Sequence, residues 1–341
     1  MALALTPINQ RRFENFRKNR RGWCSLWIFI AIFSLSLFAE LIANDKPLLV
    51  EYNDQLYFPF IKQYSETEFG GEFDTEADYK DEYVINLINE KGFILYPIIP
   101  FHYDTINYDL KTPAPSPPDG VNWLGTDDQG RDVFSRIIYG FRISVLFGLC
   151  LTFFSSIVGV IAGAIQGYYG GRTDLIFQRI IEIWSSLPML FLLIILSSIV
   201  QPNFWWLLGI MMLFSWMSLV GVVRAEFLRG RNLDYVKAAK ALGLRDTSIM
   251  FKHILPNAVV STLTFIPFIL TSSITTLTAL DFLGFGLPIG EPSLGELISQ
   301  GKANLQAPWL GIAAFVVLSL MLTLLVFIGE AVRDAFDPRN T

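Results

Sequence analysis

Residues able to do chemistry are sparse in this sequence, and their spacing excludes more than it suggests. Two histidines, His102 and His253, and two cysteines, Cys24 and Cys150, are the whole supply of imidazole and thiol in 341 residues. No zinc-type spacing can be built from them, and the cysteines read as small apolar fillers rather than a disulfide or metal pair. A phosphate-cradling loop requires G-x-x-x-x-G-K-[ST]. The nearest approach, Gly295…Gly301-Lys302-Ala303, has the wrong spacing and no hydroxyl, so the chain is expected to bind no nucleotide and no metal of its own. No nucleophile stands beside a base in the apolar stretches, which argues against a membrane-embedded enzyme. Glu182 and Asp281 lie near the ends of such stretches, and a charge at the bilayer centre costs roughly 2.5–3.5 kcal/mol. These two acids are candidates for a transport pathway or for interfacial or interhelical pairing. An ion-coupled secondary transporter is the alternative they would serve, but it wants paired acids on broken helices at mid-depth, and these are peripheral. The hydroxyl run Thr271–Thr278, with Thr275 and Thr276 inside it, can offer hydrogen bonds to peptide amides or bond back to its own helix.

The segment KAAKALGLRDTSIMFKHILPN, from Lys237 to Asn257, is polar, basic and helix-prone, yet it separates two greasy stretches. Asn232 or Asp234 can cap a short helix containing Tyr235–Leu242, and Gly243 suits the left-handed position that closes one. Asp246 can cap a second helix that stops at Pro256. The spacing predicts a helix-turn-helix over 232–256. Ala238 and Ala239, ringed by Lys237 and Lys240, leave a shallow bare patch that another protein's surface can approach. A helix in contact with lipid alone is the competing reading.

These residues need elements to hold them, and the composition says what kind. The chain is 52% hydrophobic with a mean hydropathy of +0.44. A helical span needs about 20 apolar residues to cross a core of about 30 Å. Six blocks qualify: Trp23–Ile42, Ile143–Gln166, Ile183–Val200, Phe204–Val223, Val259–Asp281 and Trp309–Gly329. They lack strand alternation, and an open sheet is intolerable in lipid, so an all-α polytopic membrane protein of six transmembrane helices is expected. Basic residues cluster before the first block (Arg11, Arg12, Arg17, Lys18, Arg20, Arg21) and after the fourth (Arg224 to Lys252), with Arg172, Arg333 and Arg339 on the same side. Between the first two blocks, Asn44–Gly120 carries 15 acids against 5 lysines. Basic short loops stay in the cytoplasm. The layout is therefore a cytoplasmic basic N-terminus (1–22), a first span (23–42) retained as an anchor, and an external lobe (43–138). A membrane core (139–335) and a cytoplasmic tail (336–341) follow.

Within the lobe, KTPAPSPPDG (Lys111–Gly120) reads as an extended spacer. Asp132 is expected to cap a surface helix bearing Val133, Phe134, Ile137 and Ile138, with Arg131 and Arg136 outside that apolar face. Gly159, Gly163 and Gly167, spaced four apart, let helices approach closely in lipid; they suit helix packing, or a gate.

The spacing A-A-x3-G-x11-L-P, met by Ala238, Ala239, Gly243, Leu255 and Pro256, resembles the "EAA" coupling loop of ABC importer permeases. Lys237 stands at the Glu place and His253 where Ile is often found, as in the dipeptide/oligopeptide branch. WLGTDDQGRDVFSRIIYGFRIS from Trp123, GYYGGRTD from Gly167 and FLGFGLPIGEPSLGELISQGKANLQAPW from Phe282 are similar to other segments of that branch. The likeness covers residues 10–45 and 120–335. It implies a type I ABC importer permease fold with an extended periplasmic lobe between helices 1 and 2, in a bacterial inner membrane with both termini cytoplasmic. It implies, as partners, a second homologous permease, ABC ATPase subunits that hold ATP and Mg, a periplasmic peptide-binding protein, a peptide substrate and lipid, and no nucleic acid. The coupling loop, Lys237, Ala238, Ala239, Gly243, His253, Leu255 and Pro256 included, would dock in a groove of the ATPase. Peptide-like antibiotics are cargo by the same resemblance.

Overall fold

The computed structural model describes residues 7–197, 199–200 and 202–337. The first six residues of the basic N-terminus and, in the tail, Arg339 lie outside the described residues. Helix α1 (Pro7–Lys18) precedes α2 (Arg20–Leu37), which breaks at Phe38 and resumes for one turn as α3 (Ala39–Ile42). Asn19 starts α2 by accepting from the Gly22 N–H at 3.3 Å. Gly22 also lets α2 cross the last helix closely: a Cβ there would lie 2.0 Å from that of Ala331.

The lobe that follows corrects the all-α expectation. Strands β1 (Leu49–Tyr52) and β2 (Gln55–Tyr57) form a hairpin closed by Asn53-Asp54, with φ of 51° and 61°. A two-residue hairpin needs such left-handed residues, and Asn and Asp tolerate them. Helix α4 (Glu82–Asn89) leads into β3 (Gly92–Leu95), which pairs antiparallel with β1, giving the order β2-β1-β3. Val50, Tyr52, Phe69, Tyr79, Val84 and Ile88 make a core of its own. Lipid forbids an open sheet, but this region is not held to that rule. The chain enters and leaves the sheet side by side, with Leu48 N–H donating to Leu95 O at 2.8 Å.

Helix α5 (Val133–Tyr169) is continuous over 37 residues, roughly 55 Å at 1.5 Å per residue. The surface helix expected at Asp132 is its first turns rather than a separate element, because nothing between Ile138 and Ile143 breaks it. Asp132 does cap it, accepting from Ser135 N–H at 2.8 Å. Helices α6 (Gly171–Ser185) and α7 (Met189–Ser197) meet at 63° at Pro188, so the third predicted span is a bent pair. Helices α8 (Phe204–Ser215) and α9 (Met217–Gly230) run as one span of 27 residues.

Short helices α10 (Asp234–Ala241) and α11 (Asp246–Ile249) come next. Helix α11 passes through a π turn, Met250–Ile254, into α12 (Leu255–Leu263), and α13 (Ile266–Phe282) follows at a 53° bend. Helices α14 (Leu294–Ala303) and α15 (Pro308–Phe336) complete the described chain. Among the described residues three helices are each long and apolar enough to cross a membrane, and five crossings result if each bent pair is one.

Two cores hold the bundle. Phe29, Phe141, Ile274, Leu297 and Met321 join α2, α5, α13, α14 and α15, while Phe147, Leu151, Leu207, Met211 and Leu277 join α5, α8 and α13. The glycine stripe of α5 packs on α9. Cβ atoms at 159, 163 and 167 would fall 2.6 Å from Trp216 O, 2.8 Å from Val223 Cβ and 2.5 Å from Arg224 O. Gly159, Gly163 and Gly167 therefore lie at the close contact of α5 with α9.

Candidate coupling hinge and polar cleft

Helix α10 begins without a side-chain cap. Leu233 occupies the cap position, Asn232 instead donates to Leu228 O at 3.0 Å, and Asp234 is the first helical residue. The helix ends as the sequence predicts. Gly243, at φ +80°, donates to Lys240 O at 3.0 Å, and Leu244 N–H reaches Ala239 O at 3.2 Å. This pair of bonds is a Schellman closure, which a left-handed glycine makes cheap. Asp246 does not cap α11: Arg245 holds that position, and Asp246 Oδ1 accepts from the Tyr168 hydroxyl at 2.5 Å. Nor does the second helix stop at Pro256, which the chain passes by way of a π turn into α12.

The two alanines face opposite ways. Ala239 is buried with Val236, Ile249, Met250, Ile254 and Ala258 against Ala164, Tyr168, Val223 and Phe227 of α5 and α9. Ala238 is exposed beside Lys237, Lys240, Ala241 and Leu242, and Leu242 is 81% exposed. The bare patch expected from Ala238 and Ala239 together is thus corrected to Ala238, Ala241 and Leu242, because an inward-facing small residue is what lets α10 sit close to the span ends. Leu255 packs at the edge of the same core, and His253 is half-buried. Arg231 donates to Tyr168 O at 3.2 Å, and Arg224 grips Asp174 of α6 in a fork of 2.5 and 2.6 Å. The hinge is a body packed against the ends of α5 and α9.

The two acids do not meet. Glu182 is exposed on α6 and pairs with Arg179 of its own helix at 2.7 Å, so it makes no interhelical pair. Asp281 is buried at the end of α13, accepting from Ser293 Oγ at 2.5 Å and from Leu287 N–H at 2.8 Å. It fastens the loop before α14. Thr275 and Thr276 bond back to Thr271 O and Ser272 O at 2.8 and 2.9 Å. Thr276 nevertheless lines a cleft with Ser215, Ser218, Ser272 and Phe265, between α8–α9 and α13; Thr275 does not.

A site that sequence reasoning missed lies where the lobe joins the bundle. Arg131 and Arg136, expected outside the apolar face, are buried, Arg136 at 0% exposure. Arg131 Nε donates to Asp127 Oδ2 at 2.7 Å; Arg136 Nη2 donates to Glu296 Oε2 at 2.8 Å and to Glu291 O at 3.0 Å. A buried guanidinium needs partners for its donors; the Gly290 and Glu291 carbonyls and Glu296 take those of Nη1 and Nη2, while Nε makes no hydrogen bond and lies 3.5 Å from Asp127 Oδ2. Burial raises the carboxyl of Asp128 above the ordinary range, and Asp127 adds to the rise. Asp132 is also raised by burial, against hydrogen bonds from Asn122 and Ser135. The DDQGRD run carried the signal, but its acceptor Glu296 lies far along the chain.

A long membrane bundle, a packed basic hinge between its fourth and fifth apolar stretches and a self-contained lobe define a transport subunit. The chain belongs to the family of binding-protein-dependent transport system inner membrane components, whose profile matches residues 155–341. The N-terminal TM domain of oligopeptide transport permease C matches residues 9–63. Over 336 residues, 98% of each chain, it is 64% identical to the inner membrane ABC transporter permease protein YejE of Escherichia coli K12. It is 55% identical over 360 residues to the peptidoglycan transport system permease protein YejE of Agrobacterium fabrum, covering 98% of this chain and 94% of that one. The oligopeptide transport system permease protein OppC of Lactococcus lactis subsp. lactis is 37% identical over 64% of this chain and 75% of its own. The chain is an ABC permease, a transport component, and the ion-coupled alternative is not favoured.

Proposed function

We propose that this chain is one of two permease subunits of an importer that carries peptides, or fragments bearing them, across a bacterial inner membrane. Separate ATPase subunits hold ATP and Mg and drive it; a periplasmic binding protein delivers the cargo. Relatives named for oligopeptide and peptidoglycan transport share peptide as cargo chemistry. Six crossings fit the elements: α2–α3, α5, α6–α7, α8–α9, α11–α13 and α15. The basic N-terminus and hinge then lie in the cytoplasm and the acidic lobe outside. Helix α5 supports this, since its first turns bond to the lobe and its last to the hinge, as in Tyr139 Oη to Ala43 O at 2.9 Å and Tyr168 Oη to Asp246. The hydroxyl-lined cleft at Thr276 is this subunit's share of the peptide path.

The observation that carries the proposal is the hinge. It is anchored inward by Ala239 and offers Ala238, Ala241 and Leu242 outward between lysines. Ala238→Glu puts a charge on the docking face without entering the core. The variant is expected to reach the membrane at normal levels but to lose its ATPase on affinity purification. Retention of the ATPase by this variant would remove the coupling role.

A further inference from the structure

Movement of α10 can leak away before it reaches the spans. The path from α10 into α12 crosses the π turn Met250–Ile254, where Leu255 N–H reaches back to Met250 O. Pro256 follows at once and has no N–H to donate, so the helical ladder lacks a rung there. Such a stretch is the natural place for a helix to yield.

One side chain from α10 brackets that break. The Tyr235 hydroxyl donates to His253 O, before the proline, at 3.3 Å; it accepts from Asn257 Nδ2, after the proline, at 3.3 Å. The proton count is consistent, since one O–H donates once and its oxygen accepts once. The ring of Tyr235 borders a cleft with Gly230, Leu233 and Ile254. Among the described residues no other side chain of α10 hydrogen-bonds across this break, and Lys237 turns back to Asp234 on its own helix.

We propose that Tyr235 is a positioning residue that splints the proline-interrupted turn, so that α10 and α12 move as one body. The proposal rests on the coupling role of the hinge. Its two-sided bond makes the displacement of α10 reach α12 and α13 rather than bend the turn between them.

The test uses the assembled transporter in lipid, with spin labels on Asp234→Cys and Val259→Cys in a Cys24→Ser/Cys150→Ser background. Distances are read without nucleotide and with ATP trapped by vanadate. With Tyr235 present the separation of the labels should stay constant between the two states. Tyr235→Phe should make it shift or broaden when nucleotide is trapped. Asn257→Val, which removes the other arm, should do the same if Tyr235→Phe fails to assemble. Adding Pro256→Ala, which restores the missing N–H, should return the Tyr235→Phe distances towards those of the parent, a rescue that a purely stabilising tyrosine would not give. The splint is overturned if Tyr235→Phe and Asn257→Val leave the distances unchanged, or if Pro256→Ala gives no rescue. The Ala238→Glu experiment separates the two ideas: loss of the ATPase there with rigid Tyr235→Phe distances removes the splint alone.

Discussion

Arg136 is fully buried, as are Asp127 and Asp132, and its charged partners show why it can be tolerated. Removing one member of a buried pair strands the other, which typically costs about 3–5 kcal/mol. Arg136→Met should therefore lower the thermal midpoint of the detergent-solubilised protein sharply. Arg142→Met, which breaks a more exposed contact to Glu40 of 2.7 Å, should cost about 1 kcal/mol or less. A differential scanning measurement on both variants checks the contrast; equal shifts would mean that the Arg136 cluster is not a clamp. None of this was legible from spacing alone. A helix starting RDVFSRII presents its arginines off the apolar stripe, and that pattern ordinarily means solvent. Glu296, 160 residues away, and the carbonyls of Gly290 and Glu291 reverse the meaning. Glu182 carries the opposite lesson: its acid in an apolar stretch drew attention, yet Arg179 three residues earlier already answers it.

Elements were legible where their signals are local. Gly243 announced the end of α10, because only a left-handed residue closes a helix that way. The lobe's strands were not legible: LVEY and QLY are short, and with aromatics and acids mixed on both sides no alternation stands out. The continuous α5 was missed because apolar blocks measure lipid depth, not helix length. Gly243→Ala should cost about 1–2 kcal/mol through strain at positive φ alone, since no atom lies within 4 Å of the new Cβ. Binding-protein-stimulated ATP hydrolysis should fall while the amount of subunit in the membrane holds. In the α5–α9 contact, Gly163→Leu should prevent close approach, because even a Cβ meets Val220 O at 2.9 Å. Gly221→Ala, with nothing within 4 Å, should be neutral or stabilise by up to about 1 kcal/mol. Thermal unfolding of the two variants distinguishes a packing stripe from a gate, for a gate residue would change transport without changing stability.

At the scale of the whole molecule, the lobe is a separable attachment. Its core closes on itself, and its entry and exit strands are neighbours, Leu49 opposite Leu95. Replacing residues 50–94 by a short Gly-Ser linker should leave assembly with the ATPase intact. Uptake that depends on the binding protein should weaken, as measured in vesicles with and without that protein. Delivery at the parent rate would show that the lobe serves another purpose. A wider excision from Ser65 to Asp104 would confuse the result, because Ile99 and Phe101 pack under Tyr139 and belong to the bundle.

Helix α5 exceeds the roughly 30 Å of a bilayer core by nearly its own half, and it is gripped at both extremities, by buried arginines near its start and by Tyr168 near its finish. A strut held in this way makes the two sides of the membrane answerable to each other. Under the proposed reading, whatever free energy a loaded receptor contributes to fuel binding below, fuel must return in full to receptor affinity above. Titrating either partner against the other should give the same coupling factor, whichever is added first.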